Sequence, residues 1–149
     1  MSNVLSIKKN EHVYEQFKYF YQKNHLSATQ IASIYAQDVV FRDPVHTLYG
    51  ITQLIHYFSQ LGANINTCRF EFVDEVIVRD KAHITWNMRF SHKKIAGGKE
   101  QLIRGMTLIK FDEGKIIYHE DCYDIGAMVY EHLPILGRAT RWIKKRMAV

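Results

Sequence analysis

The chain has 149 residues, 47% of them hydrophobic and 23% charged, which suits one compact unit with its own core and excludes a largely disordered chain. Its formal charge of +5 invites a nucleic-acid reading, but Arg138, Arg141, Lys144, Lys145 and Arg146 supply five positives after Pro134 with no acidic residue among them. Of 20 basic residues these five leave 15, against 15 acidic ones, so the body is balanced and no nucleic-acid surface is expected across it. Cys68 and Cys122 lie far apart, with neither metal-ligand spacing nor a disulfide framework, as in a reducing compartment. With no run of 18 apolar residues and no apolar stretch of signal-peptide type at the start, a cytoplasmic location is the expectation.

Between Glu11 and Lys23, Val13, Phe17, Phe20 and Tyr21 recur at helical spacing and Tyr14 widens the stripe, predicting an amphipathic helix. Ser27-Ala-Thr-Gln30 has capping-box form: the serine accepts from the third amide while the glutamine reaches back, which starts a short helix carrying Ile31, Ile34 and Tyr35. Val39-Val40-Phe41 reads as a brief extended piece that stops at Asp43-Pro44, because proline disfavours helix in the residue before it and donates no amide. Gly50 opens a third helix with Ile51, Leu54, Ile55, Phe58 and Leu61 on its buried side, and Gly62 suits a left-handed cap.

Beyond Asn66 the hydrophobic period falls to two. Thr67 to Val78 pairs with Lys81 to His92 through Arg79-Asp80, and that second run pairs with Glu100 to Phe111 through Ile95-Ala-Gly-Gly. Asp112-Glu-Gly114 turns into a fourth run, Gly114 to Asp124. Such a meander after helices predicts an α+β domain with the helices gathered on one face of an antiparallel sheet. In the second run Ala82, Ile84, Trp86, Met88 and Phe90 form the buried face; the third has apolar residues on both, Leu102, Met106 and Leu108 opposite Ile103, Ile109 and Phe111. A second copy covering the outer face, in a homodimer, accounts for that pattern. Residues 134–149 form a basic amphipathic helical tail to a domain of residues 1–133. Its apolar Ile135, Leu136, Trp142, Ile143 and Met147 are expected to dock on the body or close the pocket with the positives solvated, in preference to contact with an anionic membrane or an acidic partner.

The chemistry concentrates in the fourth run. Strand alternation places Ile117, His119, Asp121 and Tyr123 on one face and Ile116, Tyr118, Glu120 and Cys122 on the other. A histidine and an aspartate two apart on an inward face are costly to bury without partners, so they mark a polar network or a site. Lacking a third ligand, the pair is not a metal motif. Arg104 is expected to pair with an acid such as Glu120 on the neighbouring strand, in preference to holding an anionic ligand. Asp43 either caps its Asp-Pro corner or belongs to the site; His46 lies in the exposed loop beyond it or reaches the cavity mouth. Tyr19 lies on the aromatic stripe, Trp86, Met88 and Phe90 serve as core and cavity wall, and Gly97-Gly98 is a turn.

The succession of helices, Phe41-Arg-Asp-Pro44, a glycine-led helix at Gly50, and a meander ending Gly-Lys-Ile-Ile-Tyr-His119-Glu-Asp121 resembles the nuclear transport factor 2-like superfamily over nearly the whole chain. Within it the chain is most similar to the SnoaL-like polyketide cyclase and ketosteroid isomerase branch. The resemblance implies a cone-shaped α+β fold, with N-terminal helices packed in a curved antiparallel sheet around a ligand-sized pocket. It implies Asp43 as general base and Tyr19 as oxyanion donor, while Thr107 stands where the isomerases keep a protonated aspartate and is a weaker donor. The His119-x-Asp121 pattern resembles cyclases in which a strand aspartate near a histidine transfers a proton. The pocket so implied is lined by Phe17, Tyr35, Phe41, His46, Phe58, Trp86, Met88, Phe90, Thr107 and Tyr123, with no cofactor and no metal. Two roles stay open, since such folds host unrelated activities: a cofactor-free isomerase or cyclase acting on a small apolar carbonyl compound, or a non-catalytic binding module.

Overall fold

In the computed structural model, which describes residues 2–23 and 26–148, the first helix, α1, spans Ser2–Tyr21. It begins well before the predicted start at Glu11, and Val13, Tyr14, Phe17 and Tyr21 form its buried stripe. The capping box is present: Gln30 N donates to Ser27 Oγ at 3.2 Å and Ser27 N to Gln30 Oε1 at 2.9 Å. It starts α2, Ala28–Ile34. Tyr35, expected on that helix, instead opens strand β1, Tyr35–Arg42, where an extended backbone aims its hydroxyl at His119. Strand β2, Thr47–Tyr49, pairs antiparallel with β1; three residues are too few for an alternation signal.

Helix α3, Ile51–Asn64, follows Gly50. It runs through Gly62 and passes directly into extended Ile65, so no left-handed cap forms at that glycine. Leu61, placed by its spacing on the buried side, is half exposed near the end of the helix.

Strands β3 (Ile65–Val78), β4 (Lys81–His92), β5 (Gln101–Asp112) and β6 (Lys115–Tyr123) form the antiparallel meander. The sheet order is β2-β1-β6-β5-β4-β3, and β1 runs parallel to β6. The sheet is therefore mixed, because the long connection through α3 and three strands brings β6 back in the direction of β1. Extra residues at Asn66 and Val73 interrupt the β3–β4 register, and such bulges bend and twist the sheet they interrupt. The concave face buries Ala82, Ile84, Trp86, Met88 and Phe90, as their alternation requires, against α1, α2 and α3. On the outer face Leu102 and Met106 are exposed.

Strict alternation fails at one point in β6. The β5–β6 register steps from Lys110↔Tyr118 to Phe111↔Ile116, leaving Ile117 as an inserted residue. Ile116 is consequently buried and Ile117 exposed, the reverse of the expected facing. Arg104 does not meet Glu120 either. Glu120 stands opposite Leu108 and accepts the Tyr118 hydroxyl at 2.6 Å.

After β6 come a short helix α4 (Ile125–Met128), a 3-10 turn (Tyr130–His132) and helix α5 (Pro134–Met147). The expected docking of the apolar side of α5 is overturned. Its polar side docks: Lys144 pairs with Asp124 at 2.9 Å and with Glu131, and Arg141 Nη1 donates to the Glu131 carbonyl at 2.8 Å. A Cβ at Gly137 would come within 2.1 Å of that carbonyl, so only glycine permits this approach. Ile135, Trp142 and Met147 face outward, 82%, 57% and 79% exposed. Among the described residues no helix is long and apolar enough to cross a membrane.

Candidate functional site

Beyond the Ile117 bulge, alternation places His119 and Asp121 toward the concave side. His119 is fully buried, with its ring parallel to that of Tyr35 and edge-on to Phe17 and Phe41. Its Nδ1 lies 2.7 Å from the Tyr35 hydroxyl, which lies 2.9 Å from the Tyr21 hydroxyl. Its Nε2 lies 2.8 Å from Asp121 Oδ1. The same oxygen accepts the Thr107 hydroxyl at 2.5 Å, and Thr107 accepts Trp86 Nε1–H at 2.8 Å. With a neutral imidazole every proton in this chain has an acceptor: Tyr21 to Tyr35 to His119 Nδ1, and His119 Nε2–H to an ionised Asp121. The bonds from Thr107 and His119 both end on Oδ1, and the Asp121 side chain keeps 20% exposure.

Trp86 reaches Thr107 because its ring lies across Gly105, directly opposite on β5. A Cβ there would meet the ring at 2.3 Å, so the absent side chain makes room for the indole.

Asp43 is held differently. Its Oδ2 accepts the Tyr57 hydroxyl at 2.6 Å, and Oδ1 accepts the amides of Val45 and His46 at 2.7 and 2.6 Å. His46 Nδ1 lies 3.1 Å from the same Oδ1. Burial alone raises a carboxyl pKa, but the bonds from Tyr57, Val45 and His46 outweigh it and hold Asp43 below the usual carboxylate range. This is the geometry of a corner clamp, and it makes a weak base.

Asp43 and Asp121 both reach one cavity of about 130 Å³, walled by Tyr21, Phe41, Phe58, Phe70, Trp86, Met88, Phe90 and Tyr123. Its rim includes the exposed Lys23, Leu61 and Gly62. Burial pushes the Tyr21 and Tyr35 phenols well above their ordinary value. Tyr57 is raised by burial and then by Asp43, and Tyr123 by burial and then by the Asp43 and Asp121 charges. All four hydroxyls keep their protons at neutral pH. Cys68 also lines the cavity, its thiol pushed up to about 11 by burial, which leaves little reactive thiolate. Among the described residues no three histidine, cysteine or acidic side chains gather as metal ligands would.

The sequence-derived residues divide accordingly. Phe41, Phe58, Trp86, Met88, Phe90, Tyr123, Asp43 and Asp121 line the cavity. Phe17 and Tyr35 pack around His119, and Thr107 is buried within the relay, so these three support the wall from behind. His46 braces Asp43 from the outside. Tyr19 is not at the site: it is 54% exposed and borders an open groove of about 400 Å³ between α1 and β3, where Lys18 pairs with Glu15 and Glu75. On α1 it lies roughly 200° around the axis from Phe17, which turns it away from the core. Two hydroxyls were missed, Tyr21 and Tyr57. Tyr21 sits on the apolar stripe of α1 and Tyr57 at the edge of the α3 stripe, where spacing is silent about a partner for the hydroxyl.

The SnoaL-like domain model matches residues 18–119. No curated protein matches the chain. Among solved structures, a protein from Shewanella denitrificans OS-217 proposed to be a SnoaL-like polyketide cyclase superposes with a TM-score of 0.69 at 16% identity, over 80% of this chain and 93% of that one. A protein from Jannaschia sp. CCS1 proposed to have the same activity gives 0.68 at 13%, over 83% and 90%. A hypothetical protein of ketosteroid isomerase-like fold from Catenulispora acidiphila DSM 44928, in complex with trimethylamine, gives 0.68 at 14%, over 80% and 90%. At these identities the likeness is one of fold.

Proposed function

The chain belongs to the SnoaL-like domain family, and from its cavity we propose that it takes up a small apolar carbonyl compound and moves a proton on it, with Asp121 as the base. The observation that carries this reading is the setting of Asp121: one oxygen is fixed by His119 and Thr107, and the carboxylate lines a mostly apolar cavity. A fixed carboxylate beside an apolar guest suits abstraction of a proton from the carbon next to a carbonyl. Tyr123, two residues along the same face, is the proposed donor to the developing enolate oxygen in place of Tyr19. His119 and Thr107 act as positioning residues. Asp43 shapes the corner and the cavity floor.

The cavity also sets the size of the guest. At about 130 Å³ it compares with the ~150 Å³ that accommodates benzene, which supports a single-ring ketone as the guest.

The test is deuterium exchange at the acidic carbon of monocyclic ketones. Wild type should accelerate exchange, Asp121→Asn should lose at least about a hundredfold of that acceleration, and folded Asp43→Asn should keep most of it. An Asp121→Asn protein exchanging as fast as wild type removes Asp121 as the base. A second reading, guest binding without turnover, is favoured by the two donors already spent on Asp121 Oδ1; it predicts guest retention in native mass spectra with no accelerated exchange.

A further inference from the structure

Helix α5 is attached to the body in an inverted way. An amphipathic helix ordinarily buries its apolar stripe, but here Gly137, Arg141 and Lys144 make the contacts. Ile135, Leu136, Trp142, Ile143 and Met147 are all exposed. At about 100° per residue the centre of that apolar stripe lies roughly 150° from the docked side, so the body does not stand in front of it.

The charges beside the stripe restrict what covers it. Arg138 and Lys145 flank one edge of it, Arg146 lies within it with its guanidinium over the Trp142 ring at 4.4 Å, and residues 134–149 hold no acidic side chain. A second copy of the same face would bring like charges together, which opposes that pairing. Nucleic acid would use the positives and leave the aliphatic stripe in water. An outward apolar stripe with a tryptophan, edged by arginine and lysine, matches the boundary between headgroups and acyl chains of an anionic bilayer.

We propose that α5 is a membrane-surface anchor, lying in the plane of an anionic bilayer with Ile135, Trp142 and Met147 inserted and Arg138, Lys145 and Arg146 at the lipid headgroups. The anchor is tied to the cavity. Lys144 holds Asp124, Asp124 accepts the Ala127 amide to cap α4, and α4 ends in Met128, part of the cavity wall. A guest that partitions into lipid would thereby be concentrated close to where it is used.

Flotation with phosphatidylcholine vesicles, with and without phosphatidylserine, tests the anchor on the full chain. The protein has two tryptophans and Trp86 is buried, so a blue shift of emission on adding vesicles reports Trp142. Binding should require phosphatidylserine and weaken with salt. At about fivefold per positive charge, replacing Arg138, Lys145 and Arg146 by glutamine should cost roughly a hundredfold in partitioning. Ile135→Asp with Met147→Asp should abolish binding while thermal melting of these exposed-site variants stays unchanged. Equal affinity for neutral and anionic vesicles, absence of the shift at saturating lipid, or binding indifferent to both sets of changes overturns the proposal. So does a doubled mass in light scattering that Ile135→Asp returns to one chain, which assigns the stripe to a second copy.

Discussion

Replacing Thr107 by valine keeps the side-chain outline and deletes one hydroxyl, and the structure states what that hydroxyl does. It donates to Asp121 at 2.5 Å and accepts Trp86 Nε1–H at 2.8 Å, in a residue 3% exposed. A bond to a charged acceptor contributes about 1.5–3 kcal/mol, and a buried N–H left without an acceptor costs about 1–3 kcal/mol. Since the two share an atom they do not simply add, and the expected loss is about 2–4 kcal/mol. For a chain of this size that lowers the melting temperature by roughly 5–15 °C. Urea unfolding of wild type, Thr107→Val and Thr107→Ser, followed by tryptophan emission, measures it. Serine should recover most of the loss because the hydroxyl returns. A valine variant that loses less than about 1 kcal/mol, with serine no better, would refute the reasoning that this hydroxyl links Trp86 to Asp121.

The folded Asp43 carboxyl sits below its unfolded value near 4, so the unfolded chain binds more protons in acid. Its stabilisation is full above about pH 4 and disappears as pH falls through the lower folded value; the gap in urea midpoint between wild type and Asp43→Asn should close over that window. Gly105→Ala sets a methyl 2.3 Å from the Trp86 ring, and the displaced indole should change the near-ultraviolet circular dichroism and cost about 1–3 kcal/mol. Gly137→Ala meets a backbone carbonyl at 2.1 Å, so α5 should undock and become sensitive to limited proteolysis after Leu133 while the body keeps its melting temperature within a few degrees.

Much of the fold is legible because its signals are local and redundant. The Ser27 capping box, the Asp43-Pro44 corner and the even face of β4 each need only neighbouring residues to be read, and each is found where its spacing places it. What escaped depends on residues distant in sequence. The parallel pairing of β1 with β6 joins segments about 80 residues apart, and the outward turn of the α5 stripe is decided by Glu131 and Asp124, which lie outside that helix. The site shows the same division. His119 and Asp121 advertise themselves as polar residues on an inward face, whereas Tyr21 and Tyr57 are aromatic residues among aromatic residues, and their hydroxyl partners lie 14 positions away.

The insertion at Ile117 connects these two levels. Because side chains alternate, a slip of one residue would exchange the two faces of every residue beyond it. Below the bulge Ile116 is pinned inward opposite Phe111, and above it His119 is pinned inward opposite Ile109; an unbroken strand meets one of these demands and exposes the other. Two consecutive isoleucines conceal the conflict, since either fills the core equally well and alternation read from the chemistry alone selects the wrong one. The inserted residue lets an apolar strand base and a polar strand end share one concave face. Deleting Ile117 should therefore remove the bulge without turning the site: Ile116 and His119 become two positions apart, and regular alternation keeps Ile116, His119 and Asp121 on the concave face. The deletion protein should retain its β-sheet circular dichroism, the near-ultraviolet signal of Trp86 and the accelerated ketone exchange. A folded deletion protein that loses the exchange and the Trp86 signal would show that the facing of Asp121 is not set by alternation from Ile116.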